Sequence, residues 1–100
     1  MKKHYALKLI PPRPGFPMDM SEEERQTMQQ HVEYWNDLLN KGIAIVFGPV
    51  FDPSGAYGLG VVEVDNEDQL KEILEKDPAV PLNRYEYTPM RAVFAKMGIS

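Results

Sequence analysis

The sequence of 100 residues contains no cysteine. It therefore has no disulfide framework, no thiolate nucleophile and no cysteine ligand for a zinc or iron–sulfur centre. Positive charge is also scarce: 11 Lys and Arg stand against 15 Asp and Glu, which gives a net charge of -4, and the only early basic cluster is the pair Lys2–Lys3. Because nucleic-acid binding depends on clustered positive charge, we expect no nucleic-acid partner.

Long apolar runs are missing as well. The stretch "MKKHYALKLIPP" has a short, interrupted apolar run before two prolines, too short for a signal peptide or a membrane-spanning helix. We therefore expect a cytoplasmic protein without membrane contact. The composition that remains is globular, with 43% hydrophobic and 26% charged residues in a length that suits one domain. The sequence thus predicts a single domain over residues 1–100.

Apolar patterning predicts four strands and two helices. The first strand runs from His4 to Ile10 and is followed by the Pro-rich segment 11–20, "PPRPGFPMDM", for which we expect a surface loop without regular structure. A capping box of Ser21 and Glu24 begins a long helix. The stretches "IAIVFGPV" and "LGVVEV" indicate two strands of a hairpin, "NEDQLKEIL" a second helix, and "NRYEYTPMRAVF" a last strand.

This β-α-β-β-α-β order predicts an α+β, ferredoxin-like fold with a four-stranded antiparallel sheet and both helices on one face. Strict alternation in the second strand would point Ile43, Ile45 and Phe47 to one side and Ala44 and Val46 to the other, so both faces of the sheet would be apolar. An open apolar face needs a cover. We expect a second copy to supply it, in a two-fold homodimer that forms a dimeric α+β barrel.

His31 is the first candidate for chemistry. It follows Met28 by three residues and precedes Trp35 by four, so it lies on or beside the apolar stripe of the long helix. A buried imidazole there needs a hydrogen-bonding partner. One interpretation is a core histidine satisfied by a main-chain carbonyl, and the other is a histidine that faces a site. The spacing leaves both open.

Asp77 is the second candidate, within "KDPAVP". Asp-Pro is a common turn former, so this residue could simply end the second helix. In the predicted fold, however, that helix end can approach the first helix and bring Asp77 to His31. A carboxylate fixes the tautomer of a neighbouring imidazole, and the resulting pair is suited to moving protons near neutral pH.

The other polar and methionine clusters carry weaker signals. The acidic residues Glu22–Glu24 fit a solvated first helical turn, with a metal role as the alternative. Asp52 fits a turn, and "FGPVFDPSG" lacks the spacing of a phosphate loop. Met18, Met20 and Met28 could line a pocket or fill the core. Nothing in the sequence requires a metal or another cofactor.

Several motifs follow one another in a recognisable order. They are the histidine of "QQHVEYWNDLLNKG", "GPV" after the next strand, the glycine-containing hairpin before "GLGVVEV", "KDPAV" after the second helix and the late "YEYTPM". In these motifs the chain resembles the YCII-related (YciI-like) family over roughly residues 4–94. The resemblance implies a dimeric α+β barrel and a His-Asp pair in the active site, which falls on His31 and Asp77.

Two functions compete on this basis. The first is a small enzyme in which His31, oriented by Asp77, acts as general acid or base on a small cyclic or aromatic substrate, in an elimination, isomerisation or hydrolysis. The second is a non-catalytic, dimeric binding or accessory module that holds a small ligand or a protein partner. Haem degradation, which similar barrels perform, ranks third.

Overall fold

The computed structural model describes residues 2–95 and confirms the α+β, ferredoxin-like fold with a four-stranded antiparallel sheet. The strands lie in the order β2-β3-β1-β4, and every neighbouring pair is antiparallel. The elements are β1 (Lys3–Ile10), α1 (Phe16–Asp19), α2 (Glu22–Asn40), β2 (Ala44–Val50), β3 (Tyr57–Val64), α3 (Glu67–Glu75) and β4 (Arg84–Met90).

Both long helices pack on the same face of the sheet, as predicted. Alternate residues of β1 are buried against them, which is the period of a strand with one covered face. The main core consists of Tyr5, Leu7, Trp35, Leu38, Ala44, Val62, Val64, Leu70, Ile73 and Leu74. Since α2 and α3 contribute to this one cluster, they are neighbours, and the Tyr34 hydroxyl on α2 donates to the Ile73 carbonyl on α3 at 2.6 Å.

The predicted start of α2 is confirmed, and a glycine follows its end. The Glu24 N–H donates to the Ser21 hydroxyl at 3.2 Å, and the Ser21 N–H donates to the Glu24 carboxylate at 2.8 Å, so two N–H groups at the helix start are satisfied. Gly42 follows the helix with φ of 76°, the left-handed conformation in which glycine has no steric cost. The local sequence therefore determines where the helix begins and ends.

The predicted alternation along β2 is wrong because the strand contains a bulge. Ala44 pairs with Val62 while Val46 pairs with the adjacent Val61, which leaves Ile45 as the extra residue. Beyond the bulge the faces are exchanged, so Phe47 joins Ala44 on the helix-covered side. As a result, the ring of Phe47 packs against Trp35 with ring centroids 5.8 Å apart.

Residues 11–20 also differ from the predicted loop, since Phe16–Asp19 forms the short helix α1. Pro17 lies in its first turn, where the fixed φ of proline suits a helix and the missing N–H is not needed. Phe16 is buried, which fixes this segment to the body of the domain. The last strand is shorter than predicted: β4 includes Pro89 but ends at Met90.

Candidate functional site

Asp77 lies in the turn that follows α3, two residues beyond Glu75. Its N–H donates to the Leu74 carbonyl at 3.3 Å, and its carboxylate accepts the N–H of Ala79 at 2.9 Å. This is the hydrogen bonding of an Asx turn, so the turn-forming role anticipated for Asp-Pro is real. The same turn holds the carboxylate rigidly, and its side chain is 0% exposed.

The structure brings His31 and Asp77 into contact. The imidazole Nδ1 lies 2.8 Å from one carboxylate oxygen of Asp77 and 3.0 Å from the other. The pair joins the middle of α2 to the turn after α3, which only the packing of both helices on one face makes possible. The side chain of His31 is 12% exposed, so the ring is largely enclosed and still reachable.

Two further side chains donate to the same carboxylate, and sequence reasoning did not identify either of them. The Trp35 Nε1–H lies 2.9 Å from Asp77 and 3.0 Å from the Tyr85 hydroxyl oxygen, and that hydroxyl in turn donates to Asp77. A signal existed for Trp35, because a residue four positions after His31 lies on the same side of the helix. Tyr85 comes from β4, and no sequence pattern places it beside α2.

These donors keep Asp77 ionised. Burial acts to raise the pKa of its carboxyl group, but the hydrogen bonds from His31, Tyr85 and the Ala79 N–H outweigh that effect, and the pKa lies below its usual value. Burial and the adjacent Asp77 charge raise the pKa of Tyr85, so its phenol stays protonated and donates. An ionised carboxylate only accepts hydrogen bonds, and His31 Nδ1 must therefore carry the proton. In the neutral ring, Nε2 then has a free lone pair.

An apolar cavity of about 230 Å³ lies beside this cluster, between the sheet and α2. His31, Trp35 and Tyr85 form part of its wall, together with Phe47 from the bulged strand β2. The Trp35 ring packs directly on β3 at Gly60, where a Cβ would be in ordinary van der Waals contact with the ring at 3.6 Å. The cavity is of a kind that encloses small, mostly apolar ligands.

The segment 11–20 closes one side of this cavity. Phe16, Pro17 and Met20 line it, and Arg13 ties the segment to the start of α2. The Arg13 guanidinium donates to the Glu24 carboxylate at 2.8 and 3.0 Å and to Asp19 at 2.8 Å, and it lowers the pKa of Glu24 to about 2. These hydrogen bonds hold the Pro-rich segment 11–20 in place as one side of the cavity.

The three methionine candidates differ in their positions. Met20 and Met28 line the cavity, whereas Met18 is 88% exposed and lies outside it. Asp52 accepts from the N–H and hydroxyl of Ser54, which confirms a turn role.

In residues 2–95 no group of three His, Cys, Asp or Glu side chains is arranged to hold a metal ion. Within the same range, no helix has the length and apolarity needed to cross a membrane.

Acid is expected to remove the stability that Asp77 contributes. Because its folded-state pKa lies below the ordinary value of 3.8, the unfolded chain binds more protons as the pH falls. The contribution is therefore complete above about pH 5 and is lost as the pH drops through the ordinary value and then the lower folded-state pKa. Urea unfolding at several pH values should give a shallower acid-side decline for Asp77→Asn than for the wild type. Parallel curves for the two proteins would contradict this assignment.

The fold and the cluster define an α+β protein whose sheet and first long helix enclose an apolar cavity, with a histidine and a buried carboxylate in its wall. The chain belongs to the YCII-related family, since the model of the YCII-related domain matches residues 5–93. Among solved structures, it is similar to an uncharacterized protein, TM1266, from Thermotoga maritima. That similarity has a TM-score of 0.59 at 15% identity, over 91% of this chain and 100% of the other, and shows the common fold. None of the curated proteins compared with the chain matches it.

Proposed function

We propose that this protein is a small enzyme that performs acid–base chemistry on a small cyclic or aromatic substrate, by elimination, isomerisation or hydrolysis, and that His31 transfers the proton. One observation carries the proposal: the Nδ1 of His31 is held by a buried carboxylate 2.8 Å away while its ring forms part of the wall of an apolar cavity. Such a ring has one nitrogen fixed and the other available for a bound molecule.

The two members of the pair have different roles in this proposal. Asp77 already accepts hydrogen bonds from three side chains and one main-chain N–H, so it has little capacity left for a substrate. It is a positioning residue, which fixes the tautomer and orientation of the imidazole. His31 Nε2 is the atom that takes a proton from the substrate or returns one.

The lining of the cavity favours proton transfer over covalent catalysis. Within the part of the chain that the structure describes, the lining residues include no serine, threonine or lysine. The side chains that most often form covalent intermediates are therefore not in the cavity wall. An imidazole held in one tautomer is the group there that is best suited to chemistry at neutral pH.

The proposal can be tested with nitrobenzisoxazole, an uncharged aromatic probe whose ring opens when a base removes its C–H proton. We expect the purified protein to accelerate this ring opening and His31→Ala to lose at least about tenfold of the acceleration. General acid–base assistance is worth ~10²–10⁴-fold for a well-placed substrate, and a probe without positioning contacts gains less. The rate for Asp77→Asn should fall between those of the wild type and His31→Ala, since this variant keeps the imidazole but removes its ionised partner.

His4→Gln is the matched control for the other histidine. His4 lies on β1, where its Nε2 is 2.9 Å from Glu63, and it does not line the cavity. Its variant should open the probe at the wild-type rate. If His31→Ala is as active as the wild type, or His4→Gln loses the same activity, His31 is not the base and the proposal fails.

A second candidate is a non-catalytic module that uses the same cavity to hold a ligand. The observation in its favour is the largely apolar wall, which suits retention of a ligand as well as catalysis. Saturable ligand binding together with no acceleration by wild-type protein, in the probe reaction above, would favour this module over the enzyme.

We further propose that the open face of the sheet pairs with the same face of a second copy, as a homodimer. Val46 on β2 and Leu59 on β3 are 52% and 42% exposed there. On the same face, Val61 pairs with Val46 and Ala6 of β1 pairs with Val61. Adjacent exposed apolar side chains on a sheet mark an interaction surface. A two-fold arrangement would place each patch against its own copy.

A further inference from the structure

The wall of the cavity contains no permanently charged side chain. Among the described residues that line it there is no Asp, Glu, Lys or Arg, although one quarter of the whole chain (26%) is charged. The nearest carboxylate, Asp77, is already satisfied by its own donors. A ligand ammonium would therefore be desolvated with no ion-pair partner, and a carboxylate or phosphate could pair only with a protonated His31, so burying either charge there is costly. The cavity thus selects for an uncharged molecule.

Aromatic side chains from three elements form much of this wall. Phe16 comes from α1, Trp35 from α2 and Phe47 from β2, and the rings of the last two lie at 37° to one another. Aromatic groups prefer offset and edge-to-face contacts with other rings, which add to the free energy of simple apolar burial. A flat, aromatic ligand suits such a lining.

Asn83 supplies an amide group to this largely apolar lining. Its side-chain N–H₂ donates to the Ala79 carbonyl at 3.1 Å and to the sulfur of Met28 at 3.5 Å. These two contacts fix which end of the amide is the donor and leave the Oδ1 oxygen as the acceptor. No described residue donates a hydrogen bond to that oxygen. Asn83 can therefore accept a hydrogen bond from a ligand.

The contact between Asn83 and Met28 also places this acceptor close to the imidazole. Met28 precedes His31 by three residues, and residues at this spacing are neighbours on a helix surface, with Cβ atoms roughly 5–6 Å apart. Both side chains line the same cavity. One small molecule can thus reach Asn83 with one group and His31 with another.

We propose that the cavity binds an uncharged aromatic molecule that carries a hydroxyl group, whose O–H donates to Asn83 Oδ1 while the ring packs on Trp35. This inference rests on the proposed function only in that the bound molecule lies beside His31 Nε2. Asn83 is then the residue that selects a hydroxyl-bearing molecule over one of the same shape without a donor. Recognition requires no charge on either partner.

Three probes of similar shape test this recognition: para-propylphenol, para-propylanisole and para-propylbenzoate. Trp35 is the single tryptophan and part of the cavity wall, so its fluorescence reports binding, and calorimetry gives an independent affinity. We expect the phenol to bind most tightly. The anisole, which lacks the donor, should bind about three- to tenfold more weakly. At about pH 9, where an ordinary imidazole is neutral, the charged benzoate should bind at least about 100-fold more weakly, since its carboxylate then has no partner.

Asn83→Leu should remove the difference between phenol and anisole, because the acceptor is gone while the size of the side chain is kept. Comparing two probes on one variant cancels any general effect of the substitution on folding. The matched control is Asn36→Leu, an exposed asparagine on α2, which should keep the wild-type order of affinities. His31→Ala should also keep the preference for phenol, since Asn83 is intact.

Equal affinity for phenol and anisole in the wild type would overturn the inference, as would an unchanged preference in Asn83→Leu, tighter binding of the benzoate, or no saturable binding of any probe. These results do not depend on catalysis. The preference for phenol together with no acceleration of the nitrobenzisoxazole reaction would leave the binding inference standing and remove the enzyme. Acceleration of the nitrobenzisoxazole reaction together with no preference for phenol would remove the binding inference alone.

Discussion

Asp77→Ala is expected to lower the free energy of unfolding by about 3–5 kcal/mol, the range found when one partner of a buried charge pair is removed. The reason is the set of donors around the carboxylate. Without it, the N–H of Trp35, the hydroxyl of Tyr85 and Nδ1 of His31 lose a common acceptor in a buried region. Each unsatisfied donor costs about 1–3 kcal/mol, partly offset by rearrangement or entry of water.

Urea unfolding followed by circular dichroism measures this loss, and Asp37→Ala is its matched control. Asp37 is 59% exposed and pairs with Lys41 one helical turn away, an interaction worth less than about 0.5 kcal/mol. Asp77→Asn keeps one acceptor oxygen, so its free energy of unfolding should fall by less than that of Asp77→Ala. It therefore gives a measurable free energy if Asp77→Ala does not fold. Equal losses for Asp77→Ala and Asp37→Ala would show that the carboxylate does not organise the cluster.

Val46→Glu is expected to weaken self-association by at least about 100-fold if the open sheet faces pair as proposed. Val46 lies on the edge strand β2, opposite Val61, and is 52% exposed in the single chain. In a two-fold dimer the substitution would bury two carboxylates, one from each copy. Burying an unpaired charge costs several kcal/mol, and each 1.4 kcal/mol is a tenfold change in affinity.

Analytical ultracentrifugation over a range of concentrations measures the dissociation constant. The wild type should sediment as a dimer and Val46→Glu as a folded monomer, because the residue is already exposed in the single chain. Val80→Glu, in the turn after α3 and 38% exposed, adds the same charge outside the sheet and should stay dimeric. A wild-type monomer at all concentrations, or an unchanged dimer in Val46→Glu, would exclude pairing through this face.

Much of the fold could be predicted because short-range patterns report it directly. Ser21 with Glu24 and Gly42 mark the ends of α2 through hydrogen bonds and a backbone angle that involve only neighbouring residues. The bulge at Ile45 could not be predicted in the same way. A run of apolar residues fits either register, and the choice depends on packing Phe47 against Trp35 across the chain.

The candidate site shows the same distinction between what local sequence patterns report and what long-range packing decides. The sequence by itself determined the order of the four strands and the two longer helices, and the presence of His31 on one helix and Asp77 after another. Only the tertiary structure decided that the two side chains meet, that Trp35 and Tyr85 share the carboxylate, and that Asn83 faces the same cavity as the imidazole. Patterns of three to four residues describe contacts within one element. The buried polar cluster instead joins Trp35 of α2 to groups 42 and 50 residues further along the chain, and their approach depends on how the whole chain packs.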